Sequence, residues 1–352
     1  MNVQNTATVA QIDEFDEIID VRSPAEYAED HLPGAISAPV LDDAQRAQIG
    51  TLHKQASAFE AKKAGAALVA INIARHLQER FHDRPKSWHP LIYCWRGGQR
   101  SGAMTEIFSR IGWPVAQLAG GYKAYRRHVI DQLESLPTKL DLRIVCGTTG
   151  SGKSRLLQAL AAAGAQVLDL EGLARHRGSV LGHLPGEPQP AQKWFETLLW
   201  QAMQGFAADR PVFVEAESKK VGSLHVPIAL MARMREAPCL RVELPTAARV
   251  ALLKEEYAHF LAEPERLNHQ LDILVTMHGH ARVAEWKGLS GAHAWDELVQ
   301  RLLTEHYDPA YMRGMARSFR QYESAPSLAI EGIDAPAFEQ AARRAVVLAQ
   351  GG

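Results

Sequence analysis

Two hydrophobic periods alternate along this chain. Short apolar or β-branched runs at 18–21 (IIDV), 35–40 (AISAPV), 90–94 (PLIYC) and 115–121 (VAQLAGG) read as buried strands that end in loops. Helical stretches lie between them. Ser23 followed by Pro24, with Glu26 three residues after the serine, marks a short capped helix. Residues 43–83 carry Ala, Gln, Lys and Leu at helical spacing, with interruptions expected near Gly50 and Gly65. A further helix is expected over 101–111. Strands alternating with helices predict an open parallel α/β sheet.

The pattern then restarts. LESLPTKLDLR (133–143) contains a proline and a charge switch, which sets a domain boundary near Pro137. After it come a strand (LRIVC), a helix over 154–164 ending in glycine, and strands at 166–174, 211–218 and 239–245. Beyond about 247 the pattern is helical and polar, with few strand candidates. The expected organisation is one α/β domain over 1–137 and a second over 138–352 that carries a helical C-terminal part.

Composition narrows the class. The chain has 352 residues, 46% of them hydrophobic, enough for two sizeable cores. A net charge of −1 announces no nucleic-acid binder, yet the charge is unevenly spread. Residues 1–50 hold ten acidic side chains against Arg22 and Arg46, whereas 75–127 hold ten Lys/Arg against three acids. Three cysteines, Cys94, Cys146 and Cys239, make no disulfide framework and fit a reducing compartment. The acidic N-terminus has no signal-peptide pattern, and no run approaches the ~20 apolar residues of a membrane span. A cytoplasmic location is expected.

Chemistry concentrates first around Cys94. The cysteine leaves the end of a predicted strand and enters the loop Trp95-Arg96-Gly97-Gly98-Gln99-Arg100-Ser101, which opens a helix. Such a loop aims backbone N–H groups at the sulfur, and the helix N-terminus adds positive potential. Arg100 is expected to add full charge. Together these stabilise a thiolate, a persulfide or a bound oxyanion. This segment resembles the rhodanese family over residues 10–128. The resemblance takes in Ile19-Asp20-Val21-Arg22, His31-Leu32-Pro33-Gly34-Ala35, the Cys94 loop and Gly120-Gly121-Tyr122. It implies a loop cysteine that carries a transferable sulfur, with Asp20 and Arg22 as a loop-bracing pair. Five residues separate Cys94 from Arg100, one more than in the common sulfur carriers. Rhodanese-fold phosphatases and arsenate reductases share that length, so loop length leaves sulfur carriage and oxyanion chemistry both open.

The second concentration is Gly147-Thr148-Thr149-Gly150-Ser151-Gly152-Lys153-Ser154, a full Walker A pattern between a strand and a helix. Its glycines let the backbone wrap a phosphate, and Lys153 meets the outer charge. Ser154 is the residue that would ligate Mg²⁺. Glu215 and Glu217 stand after a strand, where a metal-organising acid belongs; either could assist Mg²⁺ or hold a neighbouring arginine. No adenine-binding signature accompanies the loop, which points to diphosphate recognition rather than ATP hydrolysis.

The order of the two motifs, and the segments around them, make the whole chain similar to the bacterial tRNA 2-selenouridine synthase family. The segments that carry this include the Cys94 loop, the P-loop and Asp169-Leu170-Glu171-Gly172-Leu173-Ala174. They also include His176-Arg177-Gly178-Ser179, Glu217-Ser218 and Tyr307-Asp308-Pro309 with Tyr311. The resemblance implies a transferase without a tightly bound cofactor, acting on wobble 2-thiouridine of tRNAs for lysine, glutamate and glutamine. Geranyl diphosphate would alkylate the sulfur and selenophosphate would then replace it with selenium. Cys94 would serve the selenium step, either as a perselenide carrier or as a nucleophile in the exchange, and Gly147, Gly150, Ser151, Gly152, Lys153 and Ser154 would hold the diphosphate. Asp169, His176 and Arg177 are candidate supporting residues. Trp95 would either stack a splayed base or pack under the loop. Arg313, Arg317 and Arg320 lie at helical spacing as a candidate phosphate-tracking stripe. The competing enzyme reading is a rhodanese-fold phosphatase or oxyanion reductase fused to an ATP-dependent small-molecule kinase. A third reading is a nucleotide-binding sensor with an inert Cys94.

Overall fold

A computed structural model describes residues 5–55, 57–179 and 181–350. The chain divides into two compact units, residues 1–132 and 133–352.

The first unit is built on a five-stranded, wholly parallel sheet. Its strands are β1 (Thr6–Ala7), β2 (Glu17–Asp20), β3 (Ile36–Ser37), β4 (Pro90–Tyr93) and β5 (Ala116–Leu118), in the order β1-β5-β4-β2-β3. β4 pairs with β2 so that Tyr93 lies opposite Asp20. That register brings the Asp20–Arg22 segment beside the strand end from which Cys94 leaves. The helix Pro24–Glu29 starts with the anticipated capping box between Ser23 and Glu26.

Helices Asp43–Gln55 and Ala58–His76 run straight through Gly50 and Gly65, correcting the expected interruptions. The break falls near Ser57, whose Oγ accepts the Glu60 N–H at 3.0 Å and starts the second helix. Gly65 instead packs against Ile49, where the absent side chain lets the two helices approach. Ile19, Val21, Ile92, Met104 and Phe108 form the core, closed at one end by Phe81, Trp88 and Trp113.

The second unit repeats the architecture with β6 (Leu142–Cys146), β7 (Gln166–Leu168), β8 (Val212–Glu215), β11 (Cys239–Glu243) and β12 (Ser327–Ala329). All are parallel, in the order β12-β11-β6-β8-β7. A small antiparallel ribbon, β9 (Lys220–Val221) with β10 (Leu224–His225), lies outside the sheet. The expected strand over 166–174 stops at Leu168. Asp169 accepts the Gly172 N–H at 2.7 Å and caps a helix over Leu170–Ala174. β12 was not foreseen; its three residues dock on β11 through the fully buried Leu328.

The P-loop helix, Lys153–Ala162, packs along the C-terminal helix Ala335–Gln350. Residues after Pro245 are helical up to Ser318, with their own core around Trp286, Leu271, Leu274 and Leu298.

Candidate functional site

The Cys94 sulfur is the acceptor at the centre of the first unit's loop. It is 4% exposed. Gly98 N–H donates to it at 3.3 Å and the Ser101 hydroxyl at 3.1 Å. Gln117 fixes that hydroxyl: its Nε2 donates to Ser101 Oγ at 2.6 Å and to the Gly98 carbonyl at 3.1 Å, which leaves the Ser101 proton for the sulfur. Burial pushes the thiol up. The hydrogen bonds from the Ser101 hydroxyl and from the N–H groups of Ser101, Gly98 and Arg96 outweigh it and hold the thiol below its ordinary value.

The expectation of a full positive charge at the sulfur is corrected. Arg100 Nη1 lies 2.6 Å from Glu26 Oε2, so the cation is paired with the carboxylate that also caps Ser23. Burial raises the Glu26 carboxyl, but Arg100 holds it below the usual range. The Arg96 side chain is exposed and contributes to the loop through its backbone. Trp95 is half-buried, its ring 5.3 Å from that of Tyr122. The sulfur is thus served by dipoles rather than by a neighbouring cation.

Asp20 and Arg22 brace the loop from below. The Arg22 guanidinium donates to Asp20 Oδ2 and to the Asp30 carbonyl, each at 2.6 Å, and sits 4.0 Å from the Tyr122 ring centroid. Tyr93 donates to Asp20, and Tyr122 donates to Asp30. Gln117, Tyr93, Asp30 and Tyr122 were not singled out from sequence as site residues. Gln117, a lone amide in an apolar strand, was the one signal that could have been read.

Gly121 makes the loop's conformation obligatory. It holds φ at +59°, and a Cβ there would stand 2.3 Å from the Cys94 carbonyl oxygen and 2.4 Å from Gly97 N. We expect Gly121→Ala to destabilise the unit by about 2–3 kcal/mol, because the clash is with backbone on both sides. It should also slow alkylation of Cys94 by iodoacetamide. Urea unfolding and the alkylation rate test this; wild-type values for both would show that the loop adapts.

In the second unit the P-loop follows β6. Gly150 and Gly152 hold positive φ, and Lys153 Nζ donates to the Gly147 carbonyl at 2.7 Å. Gly147 N–H donates to Tyr311 Oη at 2.6 Å. Ser151 is buried with its hydroxyl unpartnered, and Ser154 Oγ donates to Glu171 Oε2 at 3.0 Å. Arg249 braces the loop from behind, donating to the Thr149 carbonyl at 2.8 and 3.0 Å while paired with Asp308. Tyr311 and Arg249 are supports that sequence reasoning did not assign.

A cleft of about 490 Å³ opens over Lys153 and Ser154 and includes Glu171, Arg177 and Glu217, a size in the range of small-molecule sites. Glu217 lines the cleft, whereas Glu215 is buried beneath it. Glu215 accepts the Glu171 N–H at 2.6 Å and so supports that residue rather than an arginine. Burial, then the Asp169 and Glu171 charges, pushes the Glu215 acid well above the usual range. Asp169 acts as the cap already described. His176 is buried against His183, which it bridges through its backbone, and its Nδ1 accepts the Gly178 N–H. Arg177 reaches the cleft, anchored by the Glu256 carbonyl at 2.6 Å and the face of Tyr257.

The arginine stripe is not continuous. Arg313 is exposed on the helix Asp308–Ser318, Arg320 lies past its end and pairs with Glu236, and the Arg317 side chain lies outside the described residues. Among the described residues, no group of three or more His, Cys, Asp or Glu side chains is arranged to hold a metal ion. Ser154, Glu171 and Glu217 do offer oxygen donors of the kind Mg²⁺ takes.

Burial, then the Glu171 charge, pushes the Glu217 acid up to about 8 from an ordinary 4.5. Between those values the folded chain keeps a proton that the unfolded chain has released. Stability therefore falls as pH rises across that window. Glu217→Gln removes this titration, so its stability relative to wild type should grow from pH 5 to pH 8 by on the order of 2–4 kcal/mol. Parallel pH profiles in urea unfolding would mean that Glu217 titrates normally.

Comparison with known proteins places both units. Residues 5–128 match the rhodanese-like domain family, and residues 140–272 match the tRNA 2-selenouridine synthase AAA domain family. The tRNA 2-selenouridine synthase of Bdellovibrio bacteriovorus is 35% identical over 344 residues, covering 85% of this chain and 89% of that protein. Those of Marinobacter nauticus and Cronobacter sakazakii are 32% and 33% identical, covering 84% and 86% of this chain and 87% and 88% of theirs. At that identity and coverage, the chain belongs to the tRNA 2-selenouridine synthase family.

Proposed function

We propose that this protein is a tRNA-modifying transferase that converts 2-thiouridine to 2-selenouridine through an S-geranyl intermediate. Its tRNA substrates are those for lysine, glutamate and glutamine, modified at the wobble position. The observation that carries the reading is the Cys94 sulfur, held as the acceptor of converging donors in a chain of this family. A thiolate so held is suited to act as the nucleophile in an exchange at C2, a step that changes no oxidation state.

A thiocarbonyl sulfur is a poor leaving group, and alkylation makes it a better one. In the first step the sulfur attacks C1 of geranyl diphosphate. The C1–O bond breaks, diphosphate leaves with the electron pair, and the base loses its N3 proton. Lys153 and the P-loop N–H groups oppose the charge that develops on the leaving group. In the second step the Cys94 thiolate adds at C2, the C2–S bond to the geranylthio group breaks, and geranylthiol leaves with a proton from solvent. The selenium of selenophosphate then adds at C2, the C2–S bond to Cys94 breaks, and the thiolate is restored. Water then cleaves the P–Se bond and phosphate departs.

Ser154, Glu171 and Glu217 are the residues that would hold Mg²⁺, which when bound neutralises phosphate charge. Arg177 supplies a second fixed cation to the cleft. The protein's own contribution is therefore position and charge for the first step and the Cys94 sulfur for the second.

The test is direct. Purified protein is incubated with 2-thiouridine tRNA, geranyl diphosphate and selenophosphate, and the digested nucleosides are weighed by mass spectrometry. A geranylated or selenium-bearing nucleoside is expected. An unchanged nucleoside from folded protein that binds ATP would favour phosphate transfer instead.

A further inference from the structure

Beside the P-loop cleft lies a second pocket that the diphosphate machinery does not use. The two share Thr149, Ser179, Leu253, Tyr257 and Tyr307, and Thr149 is itself a P-loop residue. Past these the walls are Phe260, Leu267, Trp295, Leu298 and Val299, drawn from three helices, Ala258–Ala262, Pro264–Leu271 and Trp295–Leu302. The charged lining residue Lys254 has its ammonium 2.5 Å from Asp296. Ser179 lies beside the phenols of Tyr257 and Tyr307.

This surface discriminates between occupants. The ring nitrogens and amino group of a nucleotide base would enter largely without partners, at about 1–3 kcal/mol for each polar group left unpaired. A hydrocarbon has no such groups and gains about 25 cal/mol per Å² removed from water. Because the two cavities share lining residues, Thr149 of the P-loop among them, a chain attached to a diphosphate held by Lys153 starts beside the pocket.

We infer that this apolar pocket receives the isoprenoid chain of the diphosphate substrate, and that Trp295 and Val299 set the chain length accepted. The assignment rests on the function proposed above. Trp295 and Val299 stand four residues apart and so share one face of the helix Trp295–Leu302. Both are half-buried at the pocket's border, packed against the edges of the core clusters beneath it, so each variant's fold is checked before its chain-length ratios are read.

Dimethylallyl, geranyl and farnesyl diphosphates, tested with 2-thiouridine tRNA, read the pocket directly. Trp295→Ala should raise the farnesyl-to-geranyl ratio of kcat/KM by about 10-fold or more, the scale on which apolar pockets discriminate by size. Val299→Trp should lower geranyl use by about 10- to 100-fold while dimethylallyl use holds. Calorimetric binding of pyrophosphate, unchanged in both variants, verifies that the P-loop is intact. Wild-type chain-length ratios in both folded variants would overturn the pocket assignment while leaving the proposed function standing. A wild-type protein that transfers none of the three chains would overturn the proposed function itself, and the pocket with it.

Discussion

Cys94→Ala is expected to abolish selenium incorporation, by at least about 10³-fold, and to leave geranylation intact. The expected product is tRNA carrying S-geranyl-2-thiouridine, which mass spectrometry of the digested nucleosides resolves from both thio- and seleno-forms. The prediction follows from how the sulfur is held. Ser101, oriented by Gln117, and the N–H groups of Gly98 and Arg96 converge on one atom, and each favours a negative charge there. With Arg100 committed to Glu26, none of that bias depends on a mobile side-chain cation.

Cys94→Ser keeps the shape and the hydrogen bonds but offers a hydroxyl that stays protonated and is a far weaker nucleophile, so it should fail as completely. Full selenation by either variant would reduce Cys94 to a packing role, and the converging donors would then need another explanation. Geranylation separates the two outcomes from misfolding, because a variant that still alkylates tRNA has kept its structure.

The parts of the site legible in the sequence are those whose chemistry is local. A phosphate loop needs its glycines, lysine and serine within eight residues, and a thiolate loop needs its cysteine a few residues before a helix. The strands that carry both loops were legible for the same reason: each is a buried apolar run with no competing period. What failed was short or long-range. β12 has only three residues, and its long-range pairing with β11 and the burial of Leu328 in the core hold it there. The helix over Leu170–Ala174 depends on one Asp169 cap inside a run that otherwise reads as strand.

Arg100 was assigned to the sulfur because they are neighbours in sequence, yet its partner is Glu26, 74 residues away. Gln117 matters only because the register of β5 against β4 sets it beside the Cys94 loop. Glu215 and Glu217 looked equivalent, and burial separates them: one supports a backbone N–H, the other lines the cleft. The apolar pocket escaped for a further reason. Its walls come from several helices distant in sequence, and each leucine or phenylalanine, taken alone, reads as ordinary core.

Lys153→Ala should lower kcat/KM for geranyl diphosphate by about 10²- to 10³-fold, the range for removing one preorganised donor to a developing anion. Selenation of tRNA supplied already geranylated should continue, because that step releases no diphosphate. The local charge balance makes the lysine decisive. Lys153 and Arg177 are the cleft's two cations, so without the lysine one arginine alone faces Glu171, Glu256 and the diphosphate. Lys153 Nζ now rests on the Gly147 carbonyl at 2.7 Å, a bond to a neutral acceptor that a diphosphate oxygen replaces with a charge-assisted one.

Lys153→Arg should not restore the rate, because a planar fork cannot occupy a place shaped for a single ammonium beside Tyr311. Residual alkylation is expected, since the loop's backbone N–H groups remain. An equal loss in both steps would show that Lys153 serves folding or tRNA binding. A loss confined to alkylation ties the P-loop to the departing diphosphate and leaves the selenium step to the Cys94 unit.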